Sequence, residues 1–249
     1  KLTNLKKSIE LPFGDFSDPK IFSYNKRKYI SIFDNQGKAI YLFDDKLDLS
    51  TTRNHKLISS FSYNSLGQLL STTSPDEGEA NFKYRKDGQI RFSQNSKQQE
   101  DGEFSYTNYD NLGRPIESGV AEGNFANLEA DGSFKATKKE QHFTVYDLAD
   151  TKLEDVLVAA KFGDAAFKYK QKFLAGNVSK TYTATPNTTT TWYSYDVYGR
   201  VQWLLQDIEG LGVKTIDYEY DFATGQVTKV LYQKHHTPEN EGGIDETFV

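Results

Sequence analysis

The sequence predicts an all-β chain of consecutive antiparallel β-hairpins, and two observations carry that prediction. The first is a repeated order of residues: an aromatic, a short turn closed by glycine, then a polar and an aliphatic residue. It occurs at Tyr63, Gly67 and Leu69; at Tyr84, Gly88 and Ile90; at Tyr109, Asp110, Gly113 and Arg114; at Tyr195, Asp196, Gly199, Arg200 and Val201; and at Tyr220, Asp221, Gly225 and Val227. Tyr suits a pleated, half-buried strand, Asp or Asn hydrogen-bonds its own backbone at a turn entry, and Gly supplies the positive φ of a hairpin loop. Self-similarity at this spacing marks an array whose units bury a core only by stacking. The second observation is period-two alternation in the flanks. Ala80, Phe82 and Tyr84 alternate with Glu79, Asn81, Lys83 and Arg85, and Ile216, Tyr218 and Tyr220 with Thr215, Asp217 and Glu219, so one face is read as apolar and the other as wet.

The elements follow in order as one continuous array. Residues 1–55 hold degenerate repeat strands, with Phe22 and Tyr24 leading to a turn at Asn25 and Phe33 leading to Gly37. Residues 56–116 carry three successive hairpins, joined through the Pro- and Gly-bounded turn from Ser74 to Gly78. Over 117–189 the pattern is interrupted. Residues 118–141 read as a long loop or poorly patterned hairpin. Thr151 and Glu154 have the spacing of a capping box, Leu153, Val156, Leu157 and Ala160 fall at helical spacing, and Gly163 stands where a helix would stop, which predicts one short helix over 152–162. Phe167, Tyr169 and Phe173 alternating with Lys168, Lys170 and Lys172 predict an amphipathic strand. A turn near Gly176 follows, and Pro186 makes the Thr-rich stretch 181–191 a loop or edge strand. Residues 190–249 hold two further hairpins and an exposed tail around His235 and His236.

Composition excludes several classes. The net charge of −5 and pI near 5.5 give no basic footprint for nucleic acid. The longest aliphatic run, Val156 to Ala160, is too short to insert in a membrane. With no cysteine, disulfides, thiol catalysis and cysteine zinc sites are excluded together. The aromatic share of 14 % supplies what fills a sheet face and pairs across it. The absence of an initiator methionine and a C-terminus that reads as an opening strand lead us to expect a piece of a longer chain.

The Tyr-Asp-x-x-Gly-Arg core at 109–114 and again at 195–200 resembles the YD repeat of the rearrangement-hotspot (RHS) family. The wording from Thr73 to Gly78, Phe82 to Arg91 and Phe104 to Arg114 is similar to that of large secreted or surface proteins of Bacteroidota. The resemblance covers residues 56–116 and 190–233 well and the remainder loosely. It implies hairpins joined into part of a curved or spiral β-sheet shell, a non-enzymatic structural segment that encloses or scaffolds other parts of a large exported or surface-displayed bacterial protein and is related to toxin shells. The implied partners are the rest of its own chain, including a C-terminal effector, and the secretion machinery, with the type nine route implied by the Bacteroidota-like wording. The chain departs from the family where Tyr63 is followed by Asn64 and Tyr84 by Arg85, and where Gln replaces Arg after Gly67, Gly88 and Gly225. The family's terminal self-cleavage segment has no counterpart in these residues.

No constellation of catalytic, cofactor or metal residues is legible. His55, His142, His235 and His236 have no ligand spacing, and Asp44, Asp45 and Asp48 lack the alternation of a Ca²⁺ loop. Ser23 and Lys26 match Ser-x-x-Lys without its partner motifs. Asp110, Asp196 and Asp221 each occupy the same point of their own turn, which turn capping explains. The expectation is therefore no enzyme, no cofactor and no metal. An alternative from a different class is an adhesin that binds surface glycans or partner cells through exposed aromatics, with Trp192 and Trp203 flanking one turn. Cut from its ribbon, the piece is expected to expose strand edges and to self-associate.

Overall fold

In the computed structural model the described residues are 20–24, 27–34, 36–44, 57–184, 188–233 and 246–248. The predictions for His55, His235, His236, Asp45, Asp48, Lys26 and Pro186 lie outside them. The chain is all-β, and the strand order is the chain order. The strands are β1 Lys20–Tyr24, β2 Arg27–Phe33, β3 Ala39–Asp44, β4 Ser59–Tyr63, β5 Leu69–Ser74, β6 Gly78–Tyr84, β7 Ile90–Asn95 and β8 Glu103–Tyr109. They continue as β9 Pro115–Glu122, β10 Lys138–Tyr146, β11 Val178–Thr183, β12 Thr189–Tyr195, β13 Val201–Ile208, β14 Gly212–Tyr220, β15 Val227–Tyr232 and β16 Glu246–Phe248. Among the described residues two short helices interrupt them, α1 Ser96–Asp101 and α2 Leu153–Ala159. No described helix is long and apolar enough to cross a membrane.

Two compact units divide the chain, one of residues 1–106 and 120–137, the other of 107–119 and 138–249. In each, a segment inserted between strands lies over one sheet face and supplies the core that a single sheet lacks. In the first unit Phe92, Phe104, Tyr106 and Ala121 are buried beneath Phe125, Leu128 and Phe134 of the 123–137 segment. The aromatic rings meet edge to face, Phe92 and Phe134 with centroids 5.1 Å apart, the arrangement the ring quadrupole favours. Lys83 pins this cover, donating from Nζ to the carbonyls of Ala126 at 2.9 Å and Leu128 at 2.7 Å. Burial lowers the Lys83 ammonium pKa, and Glu129 opposes that shift. A smaller cluster of Ile30, Ile32 and Phe43 lies under the early strands. In the second unit Leu153, Leu157 and Tyr169 of the insert pack on Trp192, Trp203 and Leu205 of the sheet.

The covers reverse one expectation. Lys83, Thr215 and Asp217 sit at the positions read as wet, yet they share their face with Phe92, Leu205 and Trp203, their cross-strand partners. Thr215 is 1 % exposed. Alternation was legible; which face becomes buried depends on where the inserted segments fold back.

Other differences have local causes. α1 is a helix that the sequence reading passed over, although Asn95 and Gln98 form a reciprocal capping box and Gly102 closes it at φ 68°. α2 lies inside the predicted 152–162, but Thr151 does not cap it. Instead the Asp150 carboxylate accepts from the Lys152 N–H at 3.1 Å, and the helix ends at Ala159, before Lys161 turns left-handed at φ 58° and Gly163 opens a 3₁₀ turn. The predicted amphipathic strand over 167–173 does not form: the 3₁₀ turn Gly163–Lys168 runs into irregular backbone, leaving Phe167 and Phe173 exposed and Tyr169 buried. The Thr-rich stretch is no edge, because β11 and β12 pair with each other and with β10 and β13. The segment 118–141 is partly strand, β9 reaching Glu122 and β10 starting at Lys138.

Candidate functional site

In each unit the repeated residues lie at the turn edge of the hairpins, where they form two kinds of rung. The first lies within a turn. Asp196 N–H donates to the Arg200 carbonyl at 2.9 Å and Gly199 N–H to the Asp196 carbonyl at 3.0 Å. The Asp196 Oδ1 accepts from the N–H groups of Tyr198 at 2.9 Å and Arg200 at 3.0 Å, while Oδ2 accepts from Arg200 Nε at 2.6 Å. Asp110 repeats this set with Leu112 and Arg114. Asn64 and Asp34 make the backbone part of it, with Leu66 and Gln68 and with Gln36 and Lys38. Asp221, whose turn is one residue longer, accepts from Ala223 and Thr224. At Tyr84 the Asp is missing and Asp87 substitutes in part, accepting from Gln89 N–H and pairing with Arg85. Gly67, Gly113 and Gly199 stand at φ 77–79°, with Gly88 at 89° and Gly225 at 72°, in the region where a side chain strains the backbone.

These contacts set the charges. The carboxyl of Asp110 is held below its usual range by the Arg114 backbone N–H first and then by the guanidinium. Burial would raise the Asp196 carboxyl, but the Arg200 N–H and guanidinium together with the Tyr198 N–H outweigh it and hold it low too. For Asp221 the Thr224 N–H is the main cause of the same shift.

The second kind of rung joins one hairpin to the next. Arg200 lies over the ring of Tyr220, 4.3 Å from its centroid, and the Tyr220 hydroxyl donates to the Val201 carbonyl at 2.7 Å. Arg114 lies 4.3 Å over Tyr146, whose hydroxyl donates to the Pro115 carbonyl at 3.0 Å. Lys38 and Tyr63 repeat the arrangement at 5.2 Å, with the hydroxyl on Ala39, and the Tyr195 hydroxyl reaches Val178 at 2.9 Å. In all four the accepting carbonyl is two residues past the turn glycine. There is a reason for that position. Between β13 and β14 the ladder stops at Trp203 and Asp217, so the strands part toward the turn edge and the carbonyl of Val201 needs another donor. The signature Tyr supplies it. Each such Tyr also sits at a register shift opposite the residue two past the glycine, as Tyr63 does with Leu69, Tyr84 with Ile90, Tyr195 with Val201 and Tyr220 with Val227. Tyr109 ends β8 directly before Asp110.

The turn expected near Gly176 is one half of a further repeat turn, whose other half, Tyr146 and Asp147, the sequence reading did not mark. Tyr146 stands opposite Val178 at the same register shift, Asp147 N–H donates to the Asn177 carbonyl at 3.1 Å, and Asp147 Oδ1 accepts from Gly176 N–H at 2.7 Å, with Gly176 at φ 79°. Tyr146, Asp147, Gly176 and Asn177 are thus a repeat turn in which residues 148–175 stand where the regular turns have two. The Tyr-Asp pair was the available signal. Asp147 also takes the guanidinium of Arg114 on both oxygens, at 2.7 and 3.2 Å, which holds its carboxyl low and raises the Arg114 pKa.

The remaining candidates are dispersed. Lys168 ends the 3₁₀ turn and Lys170 and Lys172 follow on irregular backbone, all three exposed, and His142 is exposed. Trp192 and Trp203 are each 3 % exposed and lie under the insert, so they do not present the aromatic surface expected for an adhesin. Among the described residues the exposed aromatics are Phe167 and Phe173 in the insert and Tyr198 and Phe222 at the turn tips. Among the described residues no group of His, Cys, Asp or Glu is placed to hold a metal. A cleft of about 360 Å³ opens within the insert, between α2 and the 3₁₀ turn, lined by Leu157, Val158, Phe167 and Tyr169 with Glu154 and Lys170.

No protein-family model matches the chain, and no curated protein matches it. Among solved structures it is similar to that of TcdB2-TccC3-TEV, at 11 % identity and a TM-score of 0.36, over 84 % of this chain and 14 % of that one. A Tc holotoxin pore from Photorhabdus luminescens is similar at 11 % identity and a TM-score of 0.25, again over 84 % and 14 %. A porin-like protein from Bacteroides uniformis is similar at 12 % identity and a TM-score of 0.20, over 86 % of this chain and 73 % of that one. The chain spans only a small part, 14 %, of the length of the first two of these.

Proposed function

We propose that this chain is a non-enzymatic wall segment of an RHS/YD-repeat shell, which encloses or scaffolds other parts of a large exported bacterial protein. The observation that carries the proposal is the turn-edge ladder: each Asp-x-x-Gly-Arg turn is closed on itself and then tied to the next hairpin through Arg and Tyr. Such linkage fixes hairpin to hairpin along an array and leaves few free strand edges, which is what a wall requires. The partners in this proposal are the remaining repeats and whatever the wall encloses, including an effector of toxin type. Export, display on the cell surface and the type nine route belong to the same proposal. Electron microscopy of the full-length parent, combined with limited proteolysis, tests it. A hollow shell whose contents resist protease until the wall is opened supports the proposal; a solid particle, or contents cut as fast as the free polypeptide, refutes it. The second proposal, glycan binding, has in its favour the 63 % exposed Tyr198 and the 87 % exposed Phe222. Binding on a glycan array that is lost on Tyr198→Ala and Phe222→Ala would support it.

A further inference from the structure

The insert in the expanded turn covers a part of the sheet that has the chemistry of a peptide-binding seat. β11 and β12 stop pairing at Lys180 and Trp192, so the carbonyls of Ser179 and Tyr193 lose their ladder partners. The Gln171 amide donates to both, at 2.7 and 2.9 Å, and its Oε1 accepts from the Asp150 N–H at 2.8 Å. One residue on, the backbone of Lys172 accepts from Tyr195 N–H at 3.1 Å and donates to Ser194 Oγ at 3.0 Å. Two residues before Gln171, Tyr169 enters the face beside Trp203, ring centroids 5.3 Å apart and nearly perpendicular, and its hydroxyl donates to Asp217 Oδ2 at 3.0 Å. Ser179 and Ser194 are wholly buried beneath it. Main-chain bonds with side chains seated at alternate positions are how sheets recognise extended peptides.

We infer that this seat, formed by Ser179, Tyr193, Ser194, Tyr195, Trp203 and Asp217, is a binding site for a peptide segment carrying a tyrosine and, two residues later, a glutamine, and that residues 167–174 occupy it in cis as an exchangeable strap. Two observations argue for exchange. The turn is closed across its mouth by the Asp147 N–H on the Asn177 carbonyl and the Gly176 N–H on Asp147 Oδ1, and the strap touches it only at its last two residues, where the carbonyls of Leu174 and Phe173 accept from the Asn177 N–H and side-chain amide. The strap is also held at a left-handed non-glycine residue, Phe173 at φ 53°, and the insert that leads into it at another, Lys161 at 58°, conformations that persist only where the surroundings impose them and that cluster in switch regions. A strap that leaves relieves that strain; a peptide that arrives without it binds in its place. The inference goes beyond the wall proposal and does not depend on it, because the seat is complete within the second unit.

The test uses two variants of the full chain and a synthetic peptide with the sequence of residues 167–174. In one variant residues 148–175 are replaced by Asn-Leu, the pair at 111–112; in the other Tyr169→Ala and Gln171→Ala loosen the strap in place. Peptide binding is read by the fluorescence of Trp192 and Trp203. Saturable binding is expected to both variants, at least about tenfold weaker to the parent chain, and about tenfold weaker for peptides with alanine at the tyrosine or the glutamine, the scale of a lost buried hydrogen-bonding anchor. If the shortened chain does not fold, the doubly substituted chain decides by the same measurement. No saturable binding to a folded variant, or equal binding of the alanine peptides, overturns the inference.

Discussion

Replacing Asp196 separates the two tasks its carboxylate performs. Oδ1 accepts from the Tyr198 and Arg200 N–H groups and Oδ2 from Arg200 Nε, and the side chain is 18 % exposed. Asp196→Ala removes all three bonds. Each bond to a charged acceptor contributes ~1.5 kcal/mol or more when buried, but water satisfies the released turn amides, so the net loss is about 2 kcal/mol. Asp196→Asn keeps the Oδ1 acceptor and loses only the charged contact to Arg200, a cost of ~0.5 kcal/mol. Asn64 shows that an amide does the first task, since its Oδ1 accepts from Leu66 and Gln68 N–H at 3.0 and 2.9 Å. Amide hydrogen exchange at Tyr198 and Arg200 is the assay. Exchange should accelerate about 30-fold in Asp196→Ala and about twofold in Asp196→Asn, on a scale of ~1.4 kcal/mol per factor of ten. Equal acceleration in the two variants would refute the division of labour between the oxygens.

The remaining predictions concern the same edge. Gly199→Ala meets nothing within 4 Å, so only its left-handed backbone is strained, and urea unfolding should show a loss of ~1–2 kcal/mol. Gly67→Ala should lose more, because the new Cβ collides with the Lys38 side chain and displaces it from Tyr63. Tyr220→Phe removes the donor to the Val201 carbonyl and should cost about 1 kcal/mol, read as faster exchange in Val201 and its neighbours. Asp110, Asp147, Asp196 and Asp221 all have depressed folded-state pKa values against an unfolded value near ~3.9. The unfolded chain therefore takes up protons first, and stability should be constant above about pH 5 and fall as pH drops below ~4 and through the folded values. Melting temperatures between pH 7 and pH 2 test this, and Asp110→Asn with Asp196→Asn should flatten the fall.

Much of the fold was legible because turn chemistry is local. Tyr63, Gly67, Tyr84, Gly88, Tyr195, Asp196 and Gly199 lie at hairpin turns because the preference of each for its conformation is decided within a few residues. The Tyr146 turn was hidden by the distance between Asp147 and Gly176, since a turn signal is recognised by its spacing and residues 148–175 destroy the spacing while keeping the bond from the Asp147 N–H to the Asn177 carbonyl. The strand expected over 167–173 failed for a related reason. Alternation describes which side chains can share a face, whereas Tyr169 and Gln171 are held by Trp203, Asp217 and two unpaired carbonyls that are distant in sequence. The faces of Lys83 and Asp217 were misassigned because a one-layer sheet has no intrinsic inside. As for the site, Asp and Gly announced their own turns, but the reach of Arg200 and Arg114 to the next hairpin's Tyr requires knowing which hairpins are neighbours.

A double-mutant cycle between Arg200 and Tyr220 tests most directly the claim that neighbouring hairpins are joined at their turns. Arg200→Met and Tyr220→Leu, alone and together, are compared by urea unfolding, with the paired contact expected to couple them by ~0.5–1 kcal/mol, the range for a partly exposed cation over an aromatic ring. Non-additivity of that size is the predicted result. Strict additivity, with each substitution costing what it would in an isolated hairpin, would contradict the ladder.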